Sequence, residues 1–116
     1  MKVIILAGGM GTRLPEYTEI MPKPMVRIGG IPILIHIMNL YLRYGHKNFY
    51  VALGYKSEIV KKYFKNFQKY DQSFKYKTKG KSCLITLSYT GKKTLTGGRL
   101  KKMKKFVNKN ENFMFT

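Results

Sequence analysis

Residues 3–7, Val-Ile-Ile-Leu-Ala, run without a break into Gly8-Gly9-Met10-Gly11-Thr12-Arg13-Leu14. A short apolar run of this kind reads as a buried strand, and three glycines within four positions end it abruptly. Glycine admits positive φ and lets the backbone come close to an anion, so consecutive N–H groups can turn toward a phosphate. Arg13 closes the run, and Lys23 follows ten residues later inside Pro22-Lys23-Pro24. A strand, a glycine-rich turn and cations beyond it is the arrangement with which α/β proteins hold phosphate.

Two familiar spellings of that arrangement do not fit. The P-loop needs G-x-x-x-x-G-K-[ST], and no Lys-Ser or Lys-Thr follows these glycines. The dinucleotide fingerprint G-x-G-x-x-G can start at Gly9, but its third glycine position is Leu14. No Asp or Glu stands about twenty residues on to hold a ribose.

The rest of the chain alternates strands and helices. Lys2–Ala7 is the first strand, and Gly8–Pro15 the phosphate loop. Lys23-Pro24 is expected to be extended, because a residue before proline avoids the α region. Met25–Ile28 is a short extended piece and Gly29-Gly30 a turn. Pro32 is expected to open a helix at its first position, with Ile33, Leu34, Ile37, Met38, Leu40 and Tyr41 as its apolar face and Gly45 as its C-terminal cap. Asn48–Leu53 is the second strand. Ser57 is an N-cap candidate for a helix with Ile59, Val60, Tyr63, Phe64 and Phe67 inside. Cys83–Tyr89 is the third strand. Gly97-Gly98 precede a basic helix, Arg99–Val107, with Leu100, Met103, Phe106 and Val107 on one face. Asn112–Thr116 is a fourth strand. This is the pattern of a mostly parallel sheet with helices on both sides, a Rossmann-like three-layer α/β/α fold in one domain spanning 1–116.

Composition narrows the function. Apolar residues are 44% of the 116, enough for a core. The one cysteine, Cys83, rules out an internal disulfide and lies in an apolar run, as a small buried hydrophobe does. The five acids are scattered, and no Ser/His/Asp or Cys/His set can be assembled. His36 falls on the apolar side of its helix, as a packed histidine. No run approaches the roughly 20 apolar residues of a membrane span, and no secretory signal is evident, so a cytoplasmic protein without membrane contact is expected. The net charge of +18 admits a nucleic-acid surface, especially where aromatic and basic residues interleave over 69–82. The favoured reading of those lysines is a set of solvated faces, and of 69–82 an insertion or a weak edge strand.

The ordered set Gly8-Gly9-x-Gly11-Thr12-Arg13-Leu14, Pro22-Lys23-Pro24-Met25-Val26, Gly29-Gly30-x-Pro32-Ile33-Leu34, Gly54-Tyr55-Lys56 and Thr96-Gly97-Gly98-Arg99-Leu100-Lys101 resembles the sugar-phosphate nucleotidyltransferases, and among them the cytidylyltransferases. The resemblance runs through nearly the whole chain and the first part of the family's length. It implies transfer of CMP from CTP to glucose 1-phosphate, with pyrophosphate leaving, in the supply of nucleotide sugars for surface polysaccharide. In that scheme Arg13 and Lys23 are catalytic. Leu6, Ala7, Gly8, Gly9, Met10, Gly11, Thr12, Arg13 and Lys23 hold the nucleotide, and Thr94 and Arg99 contact it too, with Thr96 an alternative to Thr94. The resemblance also implies Mg²⁺, held by an aspartate that the family carries just beyond the strand at which this chain stops. The expectation is therefore a truncated nucleotide-binding half, with no metal ligand of its own. Two alternatives remain beside the enzyme: a remnant that binds nucleotide without turnover, and a basic nucleic-acid binder. Assembly into a homo-oligomer is left open.

Overall fold

The structure, a computed structural model, describes residues 2–7, 22–54, 56–65, 69–91, 96–107 and 113–115. Among the described residues, seven strands are formed: β1 (Lys2–Leu6), β2 (Arg27–Ile28), β3 (Ile31–Pro32), β4 (Asn48–Leu53), β5 (Ser73–Thr78), β6 (Lys81–Tyr89) and β7 (Phe113–Phe115). The helices are α1 (Ile33–Leu42), α2 (Ser57–Tyr63) and α3 (Thr96–Met103), with 3₁₀ turns at Lys23–Met25 and Lys104–Phe106.

Five strands make the main sheet, in the order β5-β6-β4-β1-β7. β1 pairs in parallel with β4 and β7, and β4 with β6; only β5, at one edge, is antiparallel. The chain thus steps from β1 to β4 to β6 in one direction, then returns to the far side of β1 with β7. Helices on opposite faces accompany the two directions, as right-handed crossovers require. Leu34 and Met38 of α1, Val60 of α2 and Phe64 just beyond it bury one face, with Val3, Ile5, Phe49, Val51, Leu53, Cys83, Ile85 and Leu87. α3 covers the other face, where Met103 meets Ile4, Tyr50 and Ala52, flanked by Leu6, Leu100, Phe106 and Val107. The alternation along β1 explains why residues 3–5 are all apolar: Val3 and Ile5 serve one layer, Ile4 the other.

Several boundaries differ from the sequence expectation. Lys23-Pro24 is not extended but lies in a 3₁₀ turn closed by Met25 N–H to the Pro22 carbonyl (2.9 Å) and Val26 N–H to the Lys23 carbonyl (3.1 Å). Pro24 falls where no N–H is needed, and it is Pro22 that takes the extended conformation. Pro32 caps α1 from outside rather than occupying its first turn. The buried stripe of α1 is Leu34, Ile35, Met38 and Leu42, while Leu40 is half exposed. Ser57 is not an N-cap. Lys56, in a left-handed conformation, takes that place, and the Ser57 hydroxyl instead shares a hydrogen bond with the Tyr70 hydroxyl (2.8 Å). β6 begins at Lys81 rather than Cys83, because 73–78 and 81–89 form a hairpin, and α3 takes in Thr96-Gly97-Gly98. Phe67 lies outside the described residues.

Other expectations hold. β4 spans Asn48–Leu53 as read. Gly45 has φ +86°, its N–H meets the Leu42 carbonyl (3.1 Å), and the His46 N–H meets that of Tyr41 (3.2 Å), a Schellman close to α1. Gly29 and Gly30 (φ +60° and +79°) turn the β2–β3 hairpin with the positive φ at both positions that a tight hairpin needs. His36 is half buried and its Nε2 lies 2.7 Å from the Ile28 carbonyl, tying α1 to that hairpin. Segment 73–78 is an edge strand, with Lys75 and Lys77 exposed on one side and Phe74 and Tyr76 turned toward the core. Lysines alternating on an edge strand discourage further strand pairing.

Candidate functional site

In an open parallel sheet, ligands collect beyond the carboxyl ends of the strands where the strand order reverses. Here that reversal lies at β1, between β4 and β7. Leu6 and Ala7 stand at that end of β1. The Ala7 N–H continues the pairing with β4 by donating to the Ala52 carbonyl (2.9 Å). Leu6 packs into the layer under α3, and Ala7 against the opposite layer. Gly8, Gly9, Met10, Gly11, Thr12 and Arg13 follow in sequence from this point and lie outside the described residues, as does Thr94.

Arg99 belongs to the same edge. It sits on α3, only 4% exposed, and its Nη1 donates to the Thr90 hydroxyl (3.2 Å) and the Gly91 carbonyl (3.0 Å). Burial pulls its pKa below the ordinary arginine value, opposed in part by Tyr89. A buried guanidinium is tolerated only when its N–H groups are engaged. Thr90 is the residue it engages, and Thr90 in turn is fixed to the end of β4: its N–H and its hydroxyl both donate to the Leu53 carbonyl (2.8 and 3.1 Å). Lys102 adds a second cation, donating from Nζ to the Thr90 carbonyl (2.9 Å). Hydrogen bonds therefore join the ends of β1, β4 and β6 and the helix α3.

Lys23 occupies a different element. Pro22, Pro24, Met25 and Val26 around it are buried, whereas Lys23 is exposed. The turn thus holds one cation outward on a packed seat, with Met25 in the core beneath α1. The structure places Leu6, Ala7 and Arg99, which the resemblance assigned to the nucleotide, at one end of the sheet. Lys23 is presented separately.

Thr90, Gly91 and Lys102 were missed in sequence. Their signal was present: Lys102 stands three residues after Arg99, so both share one helix face, and Thr90-Gly91 is where the strand pattern stops. A cavity of about 540 Å³, bounded by Gly54, Lys56, Ser57, Glu58, Tyr70 and Tyr89, was missed too. It opens at the same ends of β4 and β6, and the Lys61 ammonium lies 4.5 Å from the ring centre of Tyr70 at its wall.

Among the described residues, no three His, Cys, Asp or Glu side chains gather as a metal site. Asp71 is paired with Lys105 (3.3 Å), and Glu58 is exposed on α2. These carboxylates do not fit an Mg²⁺ cage. No helix of the described residues is long and apolar enough to cross a membrane.

The family profile described as nucleotidyl transferase matches residues 2–115. A glucose-1-phosphate cytidylyltransferase of Salmonella typhimurium is 44% identical over 100% of this chain and 49% of its own length. The chain thus spans about half the length of the curated relatives it matches. HddC from Yersinia pseudotuberculosis, solved with GMP-PN, superposes with a TM-score of 0.61 at 28% identity, over 92% of this chain and 43% of that one. A UDP-glucose pyrophosphorylase solved with UDP-glucose superposes with a TM-score of 0.69 at 20% identity, over 98% of this chain and 44% of that one, a likeness of fold.

Proposed function

The chain belongs to the nucleotidyl transferase family, and on that premise we propose that it provides the nucleotide-binding half of a cytidylyltransferase reaction on glucose 1-phosphate. A phosphate oxygen of the sugar phosphate bonds to the α-phosphorus of CTP. The bond from that phosphorus to the bridging oxygen breaks, and the electron pair leaves with pyrophosphate. CDP-glucose is the second product. The observation that carries the proposal is the sheet order: β1 ends at the reversal point, and Gly8-Gly9-Met10-Gly11-Thr12-Arg13 is the sequence that leaves it. Support for the cytosine base comes from the 44% identical relative's name.

In this reading Gly8, Gly9, Met10 and Gly11 admit the triphosphate to backbone N–H groups, and Thr12 donates a hydroxyl hydrogen bond. Leu6 and Ala7 form the floor under base and ribose. Arg13 neutralises the leaving pyrophosphate with a planar fork suited to phosphate, and Lys23 supplies a point charge near the α-phosphate. Thr94 and Arg99 belong to the base end. Catalysis of this type rests on positioning and on charge stabilisation. The described carboxylates offer no cage for Mg²⁺. The reaction would take place in the cytoplasm.

The test incubates the chain with α-labelled CTP and glucose 1-phosphate and follows CDP-glucose and pyrophosphate. Saturable CTP binding is expected of this half, and where product forms, Arg13→Ala should lower turnover by roughly a hundredfold or more. Saturable CTP binding without product would leave a nucleotide-binding protein, the second reading. Absence of both product and saturable CTP binding would overturn the proposal.

A further inference from the structure

We infer that the outer face of α1 is the surface through which two copies of this chain pair, about a two-fold axis near Leu40.

α1 reads Ile-Leu-Ile-His-Ile-Met-Asn-Leu-Tyr-Leu, ten residues without a charge, in a chain that carries 23 Lys and Arg and 5 Asp and Glu. Leu34, Ile35, Met38 and Leu42 make its buried face. The opposite face is apolar as well. Leu40 is 51% exposed, and Tyr44, one turn on, is 73% exposed. One turn back lies His36, whose Nε2 meets the Ile28 carbonyl (2.7 Å), and Ile28 is itself 59% exposed. Residues four apart stand one above another on a helix, so Ile28, His36, Leu40 and Tyr44 form one strip. Ile33 and Ile37 flank it, partly buried. A surface helix normally turns charged residues outward, and one that is apolar all round is covered on both sides.

Charge decides what covers it. An acidic protein would be drawn to the lysine-bearing surfaces and not to a helix without a cation. Two copies at +18 each repel wherever lysine faces lysine, so they meet most readily through a charge-free surface, and both carry this one. Arg27, Arg43 and Lys47 stand exposed beside the strip. Arg27 is folded back on its own hairpin, donating from Nη1 to the Gly30 carbonyl (3.1 Å). At about 200 Å² for a large side chain, Ile28, Leu40 and Tyr44 leave on the order of 400 Å² uncovered. A patch of that size on a single chain is commonly an interaction site. A standard interface takes about 800 Å² from each partner, so the strip supplies its apolar centre and the flanking polar surface its rim. A two-fold axis at Leu40 brings the same patch from both sides and sets Tyr44 of one copy beside His36 and Ile28 of the other. The two helices then run antiparallel, with their dipoles opposed. This face is turned away from the sheet, so the pairing does not use the strand ends assigned to nucleotide.

The experiment is sedimentation equilibrium of the chain over a wide concentration range, at about 0.05 M and about 0.5 M salt. A monomer–dimer equilibrium is expected, with a dissociation constant that falls severalfold as salt rises, because salt screens the repulsion between the two copies. Leu40→Gln and Tyr44→Gln each act twice in a two-fold contact and should raise the constant by roughly tenfold or more. Leu84→Gln replaces another exposed apolar side chain (40%), on β6, and should leave it unchanged. A thermal melt shows which variants keep their fold. Ile28→Gln, on the hairpin outside α1, repeats the test where a helix variant does not.

A monomer at every concentration overturns the inference and gives the strip to a different protein. A constant unmoved in folded Leu40→Gln and Tyr44→Gln overturns it too, since the copies would then meet elsewhere. An equal loss in Leu84→Gln, or a dimer that weakens as salt rises, does the same, the first marking general stickiness and the second an ionic contact. All of these outcomes leave the proposed function standing.

Discussion

Met103→Ala tests how α3 is held, and therefore what keeps Arg99 and Lys102 against the strand ends. Met103 is fully buried and meets Ile4, Tyr50 and Ala52, the whole of the buried cluster on that face. α3 opens with Thr96-Gly97-Gly98. Glycine within a helix is worse than alanine by about 1 kcal/mol per residue. A helix of eight residues has little stability of its own, so packing decides whether it forms. Truncating a buried methionine to alanine costs about 2–5 kcal/mol. The lower half of that range applies here, because Leu100 and Phe106 beside it are only partly buried and can settle into the space. We expect a loss of about 2–3 kcal/mol, read as a lower urea midpoint at unchanged slope. Met103→Leu conserves volume and should cost less than about 1.5 kcal/mol. CTP affinity should fall with Met103→Ala, since the loosened helix carries both cations of the Thr90 clamp. A loss below about 1 kcal/mol, or an equal loss in Met103→Leu, would refute the view that this one side chain anchors α3.

Three further outcomes can be checked. Burial raises the Cys83 thiol from its ordinary 9.0 to about 11. Its contribution to stability is therefore complete below pH 9 and lost as pH climbs through 11, a change of about 3 kcal/mol. The stability difference between wild type and Cys83→Ala should shrink by that amount across the window, and a flat difference would contradict it. Gly45→Ala meets no neighbouring atom within 4 Å, so only the φ of +86° opposes it; a cost of about 1–2 kcal/mol is expected by thermal or urea unfolding, and a neutral result would mean that the Schellman close is not maintained. Lys23→Ala should leave stability within about 0.5 kcal/mol, because the side chain is exposed, yet weaken CTP binding measured by calorimetry. Unaltered CTP affinity would remove Lys23 from the site.

The fold was legible wherever one residue type had a single physical use. Val3-Ile4-Ile5 could only be a strand buried on both faces, and β4 was readable to the residue because Gly54 ends it after six residues. Gly45 and Gly29-Gly30 announced their turns through the positive φ they permit. Legibility failed where tertiary partners overrode local preference. Lys23-Pro24 entered a 3₁₀ turn because the buried Pro22, Met25 and Val26 hold it there. Ser57 gave up capping for a tyrosine hydroxyl thirteen residues away. The pairing that starts β6 at Lys81 depends on a hairpin partner whose interleaved lysines read as an insertion or a weak edge strand. Of the candidate site, Leu6, Ala7 and Arg99 were named only through the family resemblance, and Thr90 and Lys102 were not named as site residues at all. Their roles arise from convergence across β4, β6 and α3, and a linear pattern carries only the helical spacing of Arg99 and Lys102.

The central claim is that a cytidine nucleotide sits at the carboxyl ends of β1, β4 and β6. The most direct measurement is the change in backbone amide resonances of the labelled chain as CTP is added. Saturable shifts are expected at Leu6, Ala7, Thr90, Gly91 and Arg99, with Lys47, Asn48, Lys81 and Ser82 at the opposite ends of the strands left unmoved. Shifts confined to those opposite ends, or spread over the exposed lysines and abolished by moderate salt, would contradict it.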